Sequence, residues 1–230
     1  MSFYPADLAR IHDEGFGDFA RAAACELHRH LPPDGLVVEL GCGTGISSEI
    51  LVRLGYRVLG VDISDEMLAI ARRRAPGAEF RRASLWEVEI PSCVAVTAIG
   101  EVLNYAADER ASAEHLPELF AGIRDALQPS GVFMFDFATP GRGTGVVSTR
   151  QGDGWRIESV ALEDPVVRTL ERRMTIEIDG ERREEVHRLR LYERDDVARY
   201  LEDAGFTAEP LERYCDFAFW PGYAAFASTR

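Results

Sequence analysis

Val37-Val38-Glu39-Leu40-Gly41-Cys42-Gly43-Thr44-Gly45 is the stretch that decides how this chain folds. Residues 36–40 form a short apolar run of the kind that makes a buried strand. Glycines at alternate positions follow at once, and Ile46, Ile50, Leu51 and Leu54 then recur at helical spacing until Gly55 stops them. A strand that turns through glycines into a helix brings bare backbone close to a ligand, because glycine lacks a Cβ and tolerates left-handed conformations. The next strand, 57–61, ends at Asp62, about 20 residues on, where a carboxylate can accept both hydroxyls of a ribose.

Working outward, the periodicity predicts a helix over 7–31, with Phe16, Phe19, Ala20, Ala23, Leu27 and Leu31 on one face, ended by Pro32, Pro33 and Gly35. Ser64 is the expected cap of a helix with acids in its first turn. Strands are expected at 78–83 and 93–99, a helix over 108–127, and an apolar strand over 131–137. This β-α-β alternation argues a parallel sheet covered by helices on both faces. The glycine-rich stretch 139–154 reads as loop, and 155–192 as antiparallel strands around an Asp179-Gly180 hairpin turn that sets Arg172 opposite His187. A helix over 194–204 and strands near 207–213 and 222–228 complete the chain.

The charge balance narrows the function. At net −13 the protein opposes nucleic acid and anionic membranes, which need a basic surface. No apolar run approaches the ~20 residues of a membrane span, and the first residues carry no secretory signal. Cys25, Cys42, Cys93 and Cys215 are scattered without a C-x-x-C pair, so neither a disulfide framework nor a zinc site is expected. These features lead to an expectation of a cytoplasmic protein that binds no metal.

The loop alone leaves two cofactor classes open. A dinucleotide fingerprint wants its third glycine at position 46, which is Ile46, so a nicotinamide oxidoreductase is the disfavoured competitor. Residues 37–45 instead resemble motif I of class I S-adenosylmethionine-dependent methyltransferases, and Gly60-Val61-Asp62-Ile63-Ser64-Asp65-Glu66-Met67-Leu68 resembles their second motif. The resemblance extends over most of the chain. It implies a three-layer, Rossmann-like α/β fold, mostly parallel with an antiparallel last strand, carrying here an antiparallel β insertion. One domain, 1–230, is expected: a helical cap at 1–35, a core at 36–138 and 193–230, and the inserted loop and sheet at 139–192.

The resemblance also assigns roles. Glu39 and the Gly41, Cys42, Gly43 and Gly45 loop are expected around the methionine and ribose of S-adenosylmethionine, whose product is S-adenosylhomocysteine. Asp62 should hold the ribose hydroxyls, Ile63 and Met67 the adenine face, and Ser84 and Leu85 the adenine edge, where many members of the family carry an aspartate. Cys42 is read as small filler within that loop rather than a nucleophile, and Met67 equally as core. Ile99 and Gly100 should meet the methionine end.

For catalysis, the stretch after the fourth strand offers Glu101 and Tyr105, the N-terminal segment His12, and the inserted sheet His187 as groups facing the acceptor. Each has a plain alternative: amino-group binding for Glu101, packing for Tyr105, a surface position for His12, and pairing with Arg172 for His187. The expected activity is methyl transfer to oxygen or nitrogen of a small molecule. The competing expectation is a cofactor-binding protein whose inserted sheet, through Met174, Ile176 and Ile178, serves a homodimer or another partner.

Overall fold

The computed structural model describes residues 6–15, 17–32, 34–108 and 110–230. Phe16 and Pro33, used above, and the first five residues lie outside the described residues. Two helices, α1 (Ala6–Gly15) and α2 (Gly17–His30), occupy the stretch expected to be one. Gly15 and Gly17 flank the division, and a Cβ at Gly15 would lie 2.8 Å from the Trp155 ring. The glycine thus lets α1 press directly onto the inserted sheet.

The expected alternation follows: β1 (Leu36–Leu40), α3 (Ile46–Arg53), β2 (Arg57–Asp62), α4 (Asp65–Arg74), β3 (Glu79–Arg82) and β4 (Cys93–Ala98). Ser64 caps α4, its hydroxyl accepting from the Met67 amide at 3.2 Å. A short 3-10 turn at Val102–Asn104 leads to α5 (Leu116–Ala126) and the long β5 (Leu127–Ala138). The helix expected from 108 starts only at Leu116, with Pro117 in its first turn, where a missing amide costs nothing. Ahead of it the chain makes tight turns, the Ala111 amide donating to Asp108 O.

Next come β6 (Val146–Gly152), β7 (Trp155–Asp164), β8 (Thr169–Ile178) and β9 (Glu181–Arg190), paired antiparallel in that order. β6 corrects the loop expected at 139–154. All seven of its residues are exposed, so it carries no buried–exposed alternation for a pattern to catch. The β8–β9 register sets Arg172 opposite His187, as the hairpin turn implied. The chain ends with α6 (Arg194–Asp203), β10 (Thr207–Leu211), a small β11 (Arg213–Tyr214) and β12 (Phe217–Ala218) hairpin, and β13 (Tyr223–Thr229).

The main sheet has seven strands in the order β10-β13-β5-β4-β1-β2-β3. Neighbours run parallel except β13, which is antiparallel to both β5 and β10. One face packs α5 and α6 through Phe120 and Leu201, with Phe206 just beyond α6, onto Phe133 and Phe135. The other packs α2 and α3 through Ala23, Leu27 and Leu51 onto Val37 and Met134. The fold is therefore three-layered α/β, with β1, β2 and β4 delivering their carboxyl ends to one edge.

The inserted sheet has its own small core. Leu8 and Ile11 of α1 pack on Trp155, Ile157, Met174 and Ile176, with Ile178 at the margin. The face left open above between packing and a partner is thus covered by α1 of the same chain. Among the described residues no helix is long and apolar enough to cross a membrane.

The cysteines need a correction. Cys25 and Cys215, 190 residues apart, form a disulfide with their Cα atoms 6.4 Å apart. The bond joins α2 to the turn between β11 and β12, segments that meet only once the main sheet has brought the C-terminal hairpin back to α2, so spacing along the chain could not reveal it. It also removes the cysteine argument for a cytoplasmic location.

Candidate active site

A cavity of about 650 Å³ lies at the carboxyl edge of the main sheet, with the inserted sheet and α1 as its other walls. That size falls within the ~300–1,000 Å³ of small-molecule sites. Gly41, Gly43 and Gly45 have φ of 72°, 54° and 75°, so the loop requires glycine on backbone grounds. At Gly41 there is also no room: a Cβ would stand 2.5 Å from Val102. Around Gly43 the place of a side chain is empty, leaving its backbone open to the cavity.

Asp62 binds the loop to the next turn. One carboxylate oxygen accepts from the Gly43 amide at 2.8 Å and the other from Ser64 at 2.9 Å. An ionised carboxylate has about four acceptor sites, so this use leaves capacity for a diol. Burial raises the pKa of Asp62, while the amides of Ser64 and Gly43 pull it back. Glu39 is buried at the end of β1, accepts from the Ser48 hydroxyl, and has its pKa raised by burial. The Cys42 thiol is pushed well up by burial and by nearby Asp62 and Glu39, which leaves it inert as a nucleophile.

Ile63, exposed at 42%, and the buried Met67 both line the cavity. Leu85 lines it too, beside Ser84, whose hydroxyl donates to Asp108 at 2.5 Å. Asp108 thus brings a carboxylate to the place where Ser84 stands instead of the familial aspartate. It comes from a different loop, so motif reading could not find it. Ile99 and Gly100 border the cavity at the end of β4.

The four residues expected to face the acceptor all border this cavity: His12 from α1, Glu101 and Tyr105 from beyond β4, and His187 from β9. Tyr105 meets the His187 ring edge-on, centroids 5.7 Å apart, and bridges to Leu189. Burial lowers both imidazoles to about 4, with Arg172 and His12 adding to the effect on His187. They are uncharged at neutral pH.

Glu101 departs from the role of base. Its carboxylate is held by Arg142 at 2.5 Å and Arg172 at 2.8 Å. Burial works to raise its pKa, but the two guanidiniums outweigh it and the value is lowered. So paired, it is a poor proton acceptor and a strong brace between the core, the loop after β5 and the inserted sheet. Arg142 was not singled out by sequence, because it lies in a glycine-rich loop, and Arg172 was read there only as the partner of His187, not of Glu101.

α1 is pinned over the site through Asp13. Arg74 bonds Asp13 at 2.8 Å and reaches Thr44 O at 3.0 Å, connecting α1 to the glycine loop. An aromatic wall completes the cavity. Phe19 packs edge-on against Tyr223 at 5.5 Å and tilted against Trp220 at 5.7 Å, and all three face the cavity.

Known proteins share this architecture. A family described as a methyltransferase domain matches residues 37–131. A protein of Geobacillus sp. (strain WCH70), assigned to the methyltransferases, is 30% identical over 199 residues, 79% of this chain and 76% of its own. The dTDP-3-amino-3,6-dideoxy-alpha-D-glucopyranose N,N-dimethyltransferase of Streptomyces fradiae is 29% identical over 231 residues, 90% of this chain and 86% of its own. Among solved structures, the S-adenosylmethionine-bound amino pentose methyltransferase of Micromonospora echinaspora superposes with a TM-score of 0.76 at 20% identity, covering 100% of this chain and 98% of that one.

Proposed function

Because the chain belongs to the class I S-adenosylmethionine-dependent methyltransferases, we propose that it methylates the amino group of a small molecule of amino-sugar type. The observation that carries this reading is the weakness of the three ionisable groups expected to face the acceptor. His12 and His187 are held near 4 and Glu101 is locked between two arginines. An alcohol needs a base to take its proton as the bond forms, whereas an uncharged amine already presents a lone pair.

The bound cofactor supplies a methyl group already activated as a sulfonium. The chain's task is then to bind, align and exclude water. Asp62 would hold the ribose hydroxyls, the amides of the glycine loop and Glu39 the methionine end, and Ile63, Met67, Leu85 and Ser84, with Asp108 behind it, the adenine. His12 and His187, as neutral imidazoles, accept hydrogen bonds from the acceptor amine and so aim its lone pair. Tyr105, Phe19, Trp220 and Tyr223 keep the chamber apolar, which disfavours the charged ammonium form of the acceptor. The names of the Streptomyces fradiae relative and of the Micromonospora echinaspora structure, both concerned with amino sugars, support the same class.

Matched pairs of amino sugars and their hydroxyl analogues, incubated with enzyme and cofactor, test the reading. Mass spectrometry is expected to find one or two methyl groups added to the amine member only. Methylation confined to the hydroxyl member would reverse the assignment. Cofactor recognition has a separate check. Asp62→Ala is expected to weaken S-adenosylmethionine binding roughly ten- to a hundredfold by calorimetry, as befits loss of charge-assisted bonds. Unchanged affinity would mean that the ribose lies elsewhere.

A further inference from the structure

Asp136, near the carboxyl end of β5, is wholly buried within the apolar run 132–137 and does not border the cavity. Four donors converge on it. The Gly100 amide donates at 2.9 Å, the Glu101 amide at 2.6 Å, the Tyr223 hydroxyl at 2.5 Å and the Tyr214 hydroxyl at 3.1 Å. An ionised carboxylate offers about four acceptor sites and no donor, so this ring of donors matches the charged form. A protonated carboxyl would have to donate, and one of the four would lose its partner.

The two amides belong to the turn after β4, where Gly100 has φ 91° and Glu101 φ 61°. For glutamate that conformation is costly and persists only where surroundings impose it. The same turn carries Val102, which packs on Gly41 so closely that no Cβ fits there. A shift of the turn would therefore move the wall of the cofactor cleft. From this geometry we infer that Asp136 is a positioning residue: its carboxylate, with Tyr214 and Tyr223 behind it, clamps the Gly100–Glu101 turn in the shape that receives the cofactor.

The clamp is pH-sensitive. Burial pushes Asp136 up to about 7, with Glu101 adding to the rise, while Tyr223 and the amides of Glu101 and Gly100 oppose it. The groups facing it are Tyr214 from β11, Tyr223 from β13 and Glu101 from the turn. Beyond them stand Glu26 of α2, near Tyr214, and Arg142, whose guanidinium lies 5.6 Å from the Tyr223 ring centre. The carboxylate form holds the turn, so cofactor affinity falls as pH drops through about 7.

The test is calorimetric binding of S-adenosylhomocysteine between pH 6 and 9 under non-reducing conditions. It needs no acceptor and is independent of the amine proposal. Tyr214→Phe is the decisive variant, because Tyr214 is buried and lines no part of the cavity. Losing a donor to the charged form is expected to move the midpoint up by roughly one pH unit, with affinity about threefold weaker near pH 7.5 and close to wild type at pH 9. Asp62 and Glu39 also titrate at raised values, but neither touches Tyr214, so the displacement belongs to Asp136. Asp136→Asn is expected to bind about tenfold more weakly at high pH and without this pH dependence. If that variant does not fold, Tyr214→Phe carries the test alone. A Tyr214→Phe curve that keeps the wild-type midpoint, whether at full affinity or uniformly weakened, overturns the proposal.

Discussion

Glu101→Ala is expected to cost about 3–5 kcal/mol of stability, the usual result of removing one member of a buried ion pair. The carboxylate is 7% exposed, and its loss takes the shared ion-pair partner from Arg142 and Arg172, only 17% and 21% exposed. Three separate segments lose their common anchor at once. Urea unfolding should show a clearly lower midpoint, and cofactor binding should weaken as the turn relaxes. Glu101→Gln keeps the shape but loses the charge, and should recover only a minor part. Replacing all three charged residues with apolar ones of similar volume should restore most of the stability, because the desolvation cost disappears with the charges. A wild-type midpoint for Glu101→Ala would show that the triad braces nothing.

Breaking the Cys25–Cys215 bond is expected to be comparably costly. The closed loop spans a sequence separation of 190 residues. Loop-closure entropy for that length gives up to about 5 kcal/mol. Thiol titration in denaturant without reductant should count two free thiols, Cys42 and Cys93, of the four cysteines. A dithiol reductant should lower the melting temperature of the wild type and leave Cys25→Ser unmoved. A count of four thiols, or melting indifferent to reductant, would remove the bond from the account.

The parts of the molecule that could be read in advance are those written in chain order. The glycine loop, Asp62 and the cap at Ser64 depend on neighbours within a few residues or one βαβ unit, so periodicity and spacing locate them. The hairpin at Asp179-Gly180 fixed its own register for the same reason. What escaped notice is non-local. β6 is exposed along its whole length and carries no alternation. Asp108 reaches Ser84 from another loop, and Arg142 and Arg172 find Glu101 across 41 and 71 positions. Glu101 therefore looked like a base when read alone and is a brace when read with its partners. Asp136 did leave a signal: a lone acid in the apolar run Val132-Phe133-Met134-Phe135-Asp136-Phe137. A charge so placed must be satisfied by donors from elsewhere, and asking for them would have led to the turn after β4.

The disulfide also divides the chain topologically. Residues 25–215 close a covalent ring, and what precedes and follows it forms two tails. The glycine loop, Asp62, Glu101 and His187 belong to the ring. His12 and Phe19 arrive on one tail, Trp220 and Tyr223 on the other. The cavity is a seam between a closed loop and its two ends. A fragment beginning at Cys25 would keep the cofactor loop whole yet lose one wall of the chamber above it, and one ending at Cys215 would lose another.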